Sequence, residues 1–188
     1  MLIIIMGKTS SGKDGVARYL KEKYGIPDLV SYTTREKRVQ ETDGVEHWFI
    51  TKEQIKEIKD KESLVAYTIN EKTGIEYCAT TQSMPAEICT YILNPDGYDW
   101  GIQYGALNDT SHIIIYVECS EDNILSRGII RGDNPDVLLK RLESERDEFD
   151  NFRQAERYDY IINNDGDQES LLQQVDVVCS AIGMKSLV

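Results

Sequence analysis

The sequence predicts an α/β fold built on a doubly wound parallel sheet, and three observations predict it. Short apolar runs, Leu2–Met6, Ile88–Leu93, Ile113–Val117 and Tyr160–Ile162, recur along the chain with helical patterns between them. Each run is continuous rather than alternating, which is the pattern of a parallel strand buried on both faces. The first run passes directly into a glycine-rich turn and then a helix, the start of a βα unit. A length of 188 residues with 40% apolar composition suits one compact domain with small insertions.

The helices follow from their own signals. Lys13–Lys23 puts Val16, Ala17 and Leu20 on one face. Thr51 and Gln54 form a T-x-x-Q capping box ahead of Ile55 and Ile58. Ser120 can cap a helix running through Arg127. Pro135 opens a long charged helix through about Arg157, the usual place for a first-turn proline. Val175 to Ile182 predicts a last amphipathic helix. The stretch from about Tyr32 to Pro85 fits the alternation badly and reads as an inserted subdomain. No internal repeat, low-complexity segment or Pro/Gly/Ser linker interrupts the chain.

Composition narrows the function classes. The formal charge of −12 makes a poor nucleic-acid binder unless basic residues cluster. They cluster only in short groups: Arg35, Lys37 and Arg38, then Arg127, Arg131, Lys140 and Arg141. Such groups suit a small anion better than a polyanion; the plain alternative is solvated surface charge. Cys78, Cys89, Cys119 and Cys179 form no CxxC pair, and His47 and His112 are the only histidines. A structural zinc site and a disulfide framework are therefore not expected, and a reducing cytoplasm is. No apolar run reaches the ~20 residues of a membrane span. Leu2–Met6 lacks the preceding basic segment of a signal peptide.

One motif carries most of the chemistry. Gly7-Lys8-Thr9-Ser10-Ser11-Gly12-Lys13-Asp14 matches G-x-x-x-x-G-K, without the final Ser or Thr. It lies between a buried strand and an amphipathic helix, the context the motif requires. The glycines let the backbone wrap a phosphate with N–H groups pointing inward, and the helix N-terminus adds a favourable dipole. Lys13 is placed to reach the β- and γ-phosphates as a point charge. Gly7, Ser10, Ser11, Gly12, Lys13 and Asp14 are thus expected to hold ATP. The plain alternative is an ordinary strand-to-helix turn. Asp14 replaces the hydroxyl that usually binds Mg²⁺; a carboxylate also serves a hard cation, and Asp14 is the expected metal residue.

Ser31-Tyr32-Thr33-Thr34-Arg35-Glu36-Lys37-Arg38-Val39-Gln40-Glu41-Thr42-Asp43-Gly44-Val45-Glu46-His47-Trp48-Phe49 resembles the guanylate kinase signature, roughly S-x-T-T-R-x-x-R-x-x-E-x-x-G-x-x-Y-x-F. The resemblance implies that Ser31, Thr34, Arg35, Arg38, Glu41 and His47 bind the acceptor, with Arg35 and Arg38 gripping its phosphate and Glu41 supporting them. The chemistry agrees: an acceptor phosphate approaching a triphosphate needs its own guanidinium clamp, and arginine supplies two parallel hydrogen bonds where lysine supplies a point charge. Glu76-Tyr77-Cys78-Ala79-Thr80 resembles the family's N-Y-Y-G-[ST]-x loop, so Tyr77 would meet the acceptor nucleotide. Asp96 resembles a family aspartate near the bound nucleotides; Asn94-Pro95-Asp96-Gly97 is equally a good turn. Arg127 and Arg131 share a helix face and, with Arg141, resemble lid arginines that stabilise charge on the transferring group. Asn164 and Asp165 resemble the segment beside the adenine.

The resemblance covers nearly the whole chain. It implies a three-layer P-loop NTPase fold: a five-stranded parallel sheet, an inserted acceptor-binding subdomain and a helical lid. The expected division is a core of 1–31, 86–125 and 158–188, an acceptor-binding subdomain of 32–85 and a lid of 126–157. The implied activity is Mg²⁺-dependent transfer from ATP to GMP or dGMP. Lys13, Arg35, Arg131 and Arg141 would act in catalysis, in a monomer or homodimer without nucleic-acid or membrane partners.

Three departures bear on the base. Where the family places a guanine-reading Glu, the best match is Ala66; the family's guanine-reading Ser or Thr after Y-G is Ala79, with Thr80 next to it; its second acceptor-phosphate Tyr is His47. Glu71 or Glu76 is the alternative source of the missing carboxylate. The readings that compete with guanylate kinase are a kinase for another (deoxy)nucleotide with relaxed base choice, a non-catalytic binding module and a P-loop switch. The intact Gly7, Gly12 and Lys13 argue against the module, and the acceptor arginines argue against the switch.

Overall fold

The computed structural model describes residues 1–71 and 73–187. The expected α/β alternation is present. The strands are β1 (Leu2–Met6), β2 (Tyr32–Thr33), β3 (Trp48–Phe49), β4 (Leu64–Asn70), β5 (Ile75–Thr80), β6 (Cys89–Ile92), β7 (His112–Glu118) and β8 (Tyr160–Asn163). The helices are α1 (Lys13–Tyr24), α2 (Lys52–Lys61), α3 (Pro95–Gln103), α4 (Glu121–Arg131), α5 (Pro135–Gln154) and α6 (Gln168–Ala181).

The main sheet runs in the order β6-β1-β7-β8, with β7 and β8 parallel from Ile115↔Tyr160 to Glu118↔Asn163. All five residues of β1 are fully buried, as its unbroken apolar run requires. Among the described residues the sheet has four strands, not the expected five. Next to β6 the chain makes only an isolated parallel bridge, Asp28↔Thr90, held by Leu29 N–H to Thr90 O at 2.7 Å and Thr90 N–H to Pro27 O at 2.9 Å. Pro27 has no N–H to extend that ladder.

By its contacts the chain divides into two compact units. One comprises 1–2, 27–91 and 96–112; the other comprises 3–26, 92–95 and 113–188. The first contains a second sheet of order β3-β2-β5-β4, in which β4 and β5 form a long antiparallel hairpin and β2 is antiparallel to β5. This sheet lies in the stretch that fitted the alternation badly. Its helix α2 has the expected capping box: Thr51 Oγ1 accepts from Gln54 N–H and Gln54 Oε1 from Thr51 N–H. α3 starts on Pro95, so Asn94–Gly97 opens a helix rather than forming a free turn.

The second unit packs α1 and α6 together and α4 against α5, where Ile124, Leu138 and Leu142 form a buried cluster. α4 continues one turn past Arg127 and stops at left-handed Gly132. α5 ends at Gln154, and α6, capped by Asp167, begins at Gln168, seven residues before the expected Val175.

Candidate active site

The phosphate loop lies wholly in the second unit. Gly7 has φ 149° and Gly12 φ 102°, conformations that side chains disfavour. Neither position has room for one: a Cβ on Gly7 would lie 2.4 Å from Val117 O, and one on Gly12 2.3 Å from Asn164 Nδ2. Ser10 is also left-handed, at φ 55°. Lys13 Nζ donates to Gly7 O at 2.6 Å and Lys8 O at 2.7 Å, so the lysine braces the loop that it follows. Desolvation pulls the Lys13 ammonium below its usual range, with Arg141 adding to the effect and Asp14 and Glu145 opposing it. Ser11 is buried and its Oγ has no partner among the described residues.

Helices α4 and α5 bring charge onto this loop. Arg131 Nη2 donates to Ser10 Oγ at 2.8 Å and also pairs with Asp133. Arg127 is committed elsewhere: its guanidinium donates to Asn164 O at 2.8 Å and Gly166 O at 3.0 Å. Asn164 is buried, and its Nδ2 donates to Ser11 O at 2.7 Å. It therefore shapes the loop from behind. Asp14 is exposed in the first turn of α1.

Several loop contacts had no counterpart in the sequence reading. Glu145 Oε2 accepts from Thr9 N–H at 2.7 Å. Lys8 Nζ is paired with Asp150 at 2.8 Å and Glu121 at 3.4 Å, and Arg146 with Glu121 at 3.0 Å. Glu145 lies four residues after Arg141, and helical spacing alone would have put it on the same face. A cleft of 340 Å³ opens here, lined by Lys8, Glu118, Ser120, Asp150 and Asp165 among others. A larger hollow of 510 Å³ lies against Tyr19, Leu172 and Asp176. The Asp176 carboxylate there accepts from Tyr19, Tyr24 and Lys23, so it is an α1–α6 brace with its bonding capacity used.

The expected acceptor residues lie in the first unit. Arg35 and Glu41 form a two-pronged pair, Nη1 to Oε2 at 2.9 Å and Nη2 to Oε1 at 2.8 Å. Glu41 Oε2 also accepts the Arg38 N–H at 2.8 Å. The Arg35 guanidinium and that N–H hold the Glu41 carboxyl down at about 2. The Arg38 side chain stays 64% exposed, and its Nη1 lies 3.9 Å from Glu41. Arg35 also stacks over the Phe49 ring at 5.4 Å. Ser31 Oγ and His47 Nδ1 are 2.9 Å apart, and the His47 ring packs edge-on to Tyr77 at 5.6 Å. Burial and the Arg35 charge push the His47 imidazole below its usual range. Thr34 ties this loop to β5, its Oγ1 accepting from Glu76 N–H at 2.9 Å. Asp96 is exposed in the first turn of α3.

The base-reading expectations resolve unevenly. Ala66 and Ala79 are paired across β4 and β5, and both are buried. Glu76 is already committed: its Oε2 accepts from Tyr67 OH at 2.7 Å and pairs with Lys59 at 3.1 Å. Strand alternation puts Glu76 on the opposite face from Tyr77. Its carboxylate therefore does not stand with the acceptor residues.

The guanylate kinase family model matches residues 1–181. The chain belongs to the guanylate kinase family. A chloroplastic/mitochondrial guanylate kinase 2 of Oryza sativa is 28% identical over 186 residues, covering 96% of this chain and 64% of the rice protein, so the chain spans less than two thirds of that relative. A guanylate kinase of Buchnera aphidicola is 31% identical over 180 residues, covering 91% of this chain and 83% of that one. The crystal structure of guanylate kinase from Anaplasma phagocytophilum superposes with a TM-score of 0.67 at 16% identity over the whole of this chain and 89% of that one, a likeness of fold. No helix among the described residues is long and apolar enough to cross a membrane.

Proposed function

We propose that the chain transfers the terminal phosphoryl group of ATP to GMP or dGMP. The observation that carries this is the phosphate loop, whose backbone excludes a side chain at Gly7 and Gly12 and which carries Lys13, in a chain matched to guanylate kinases along its length. Gly7–Asp14 hold the donor's phosphates, and Ser11 Oγ supplies a buried hydroxyl with its donor unused. Arg38, exposed beside the Arg35–Glu41 pair, grips the acceptor phosphate, with Arg35 held rigid by Glu41. Tyr77, His47, Ser31, Thr34 and Asp96 complete the acceptor side. α4 and α5 act as the lid; Arg131 and Arg141 stabilise charge developing on the transferred group.

The residues present fit Mg²⁺ in the manner usual for that ion. Among the described residues no group of three or more His, Cys, Asp or Glu gathers into a cage. Mg²⁺ commonly takes one or two carboxylates plus substrate phosphates and water. Asp14, exposed in the first turn beside Lys13, is the carboxylate that would serve. The ion would neutralise charge on the β- and γ-phosphates.

A coupled assay with ATP, Mg²⁺ and each common nucleoside monophosphate tests the reading. GMP and dGMP should be turned over, with loose discrimination against other bases because Ala66 and Ala79 cannot hydrogen-bond through their side chains, and Lys13→Ala should lower kcat by about 10²-fold or more. Absence of turnover on every monophosphate by folded protein overturns it.

A further inference from the structure

α5 presents opposite charges one turn apart. Arg141 and Glu145 share a face, because positions four apart on a helix are neighbours. The carboxylate is the one seated on the loop: Glu145 Oε2 takes the Thr9 N–H at 2.7 Å, a contact between residues 136 apart in sequence. A carboxylate oxygen on a backbone N–H uses the same charge-assisted bond that the loop would offer a phosphate oxygen. The helix is fastened in this position by the residues just after Glu145. Asp150 pairs with Lys8 at 2.8 Å, Arg146 with Glu121 at 3.0 Å, and Glu148 accepts from Asn94 Nδ2 at 2.8 Å. Lys13 meanwhile faces its own loop's carbonyls, Gly7 O and Lys8 O.

We propose that Glu145 is a built-in competitor of the donor's phosphates for the Thr9 N–H, and that triphosphate binding expels it. The inference rests on the reading of Gly7–Asp14 as the donor loop. Its driving force is charge: a triphosphate repels the Glu145 carboxylate and attracts the Arg141 guanidinium one turn away. Expulsion of Glu145 and recruitment of Arg141 are thus the same event, in which a polyanion replaces the helix's own acid on the loop. If Glu145 holds the seat nine-tenths of the time, apparent donor affinity is lowered about tenfold.

Calorimetric titration of MgATP, and separately of inorganic tripolyphosphate, into wild type, Glu145→Ala, Glu145→Gln and Asp147→Asn tests this. Asp147 is exposed on the same helix, and its replacement removes the same charge without touching the loop. Glu145→Ala should bind both probes about tenfold more tightly, Glu145→Gln by a smaller factor, and Asp147→Asn as wild type does. The proposal is overturned if folded Glu145→Ala binds no more tightly than wild type. It is equally overturned if Asp147→Asn tightens as much, since general charge would then explain the gain. If wild type and all variants fail to bind MgATP, the donor-loop reading falls first and this inference with it.

Discussion

Replacing Gly12 by alanine exposes what holds the phosphate loop in shape. At φ 102° an L-residue is strained, at a cost of about 1–2 kcal/mol. The new methyl would also lie 2.3 Å from Asn164 Nδ2, an approach that real Cβ atoms do not make. Asn164 would have to withdraw, breaking its 2.7 Å bond to Ser11 O in a buried setting. Leaving such partners unsatisfied costs about 1–3 kcal/mol. The two effects together predict a loss of roughly 2–5 kcal/mol, the lower end applying if the loop relaxes. Urea unfolding of Gly12→Ala, Asn164→Ala and the double variant measures both parts. Once Asn164 is truncated, only the backbone strain should remain, so Gly12→Ala should cost about 1–3 kcal/mol less in that background. Equal costs in the two backgrounds would refute the clash. A Gly12→Ala loss below about 0.5 kcal/mol would refute the strain as well.

Two further outcomes follow from the arginine cluster. The Glu41 carboxyl is held at about 2 when folded against an ordinary 4.5, so its stabilising contribution is full above about 4.5 and fades as the pH falls toward 2. The stability gap between wild type and Glu41→Gln, read from urea midpoints, should therefore narrow between pH 6 and pH 3; a constant gap would show that the carboxylate's charge is irrelevant. Arg38→Ala should raise the KM for GMP and lower kcat while leaving the ATP dissociation constant within about twofold, because it removes only acceptor positioning. An equal loss of ATP affinity would move that residue to the donor side.

The parts of this fold legible in the sequence are those fixed by neighbours in the chain. β1 announces itself by five consecutive apolar residues, the Thr51–Gln54 box by two side chains three apart, and the phosphate loop by glycines that its backbone conformation demands. Half of the second sheet was invisible because β2 and β3 are two residues each, too short to show any period. The fifth strand was expected by likeness; the chain offers only the Asp28 bridge beside β6, following a proline. Helix ends were missed where polar residues hid the apolar stripe, as in the first turns of α6. The site divided the same way. Arg35, Arg38 and Glu41 sit within one short segment, and their mutual bonding could be expected. Glu145 on Thr9 joins residues 136 apart, and Asn164 behind Ser11 joins residues 153 apart; only tertiary structure reveals such partners.

The brace that Lys13 makes across Gly7 O and Lys8 O has a consequence for how binding is driven. Fixing a backbone residue costs about 1–2 kcal/mol of conformational entropy. A loop already wound around its own lysine has surrendered that freedom during folding, so an arriving ligand does not have to remove it. Association at such a loop should proceed without an ordering step, at a rate set by encounter and by the departure of whatever holds the seat. The lysine's ammonium has three N–H donors and spends two on the loop, so one is left to offer a phosphate oxygen without undoing the brace.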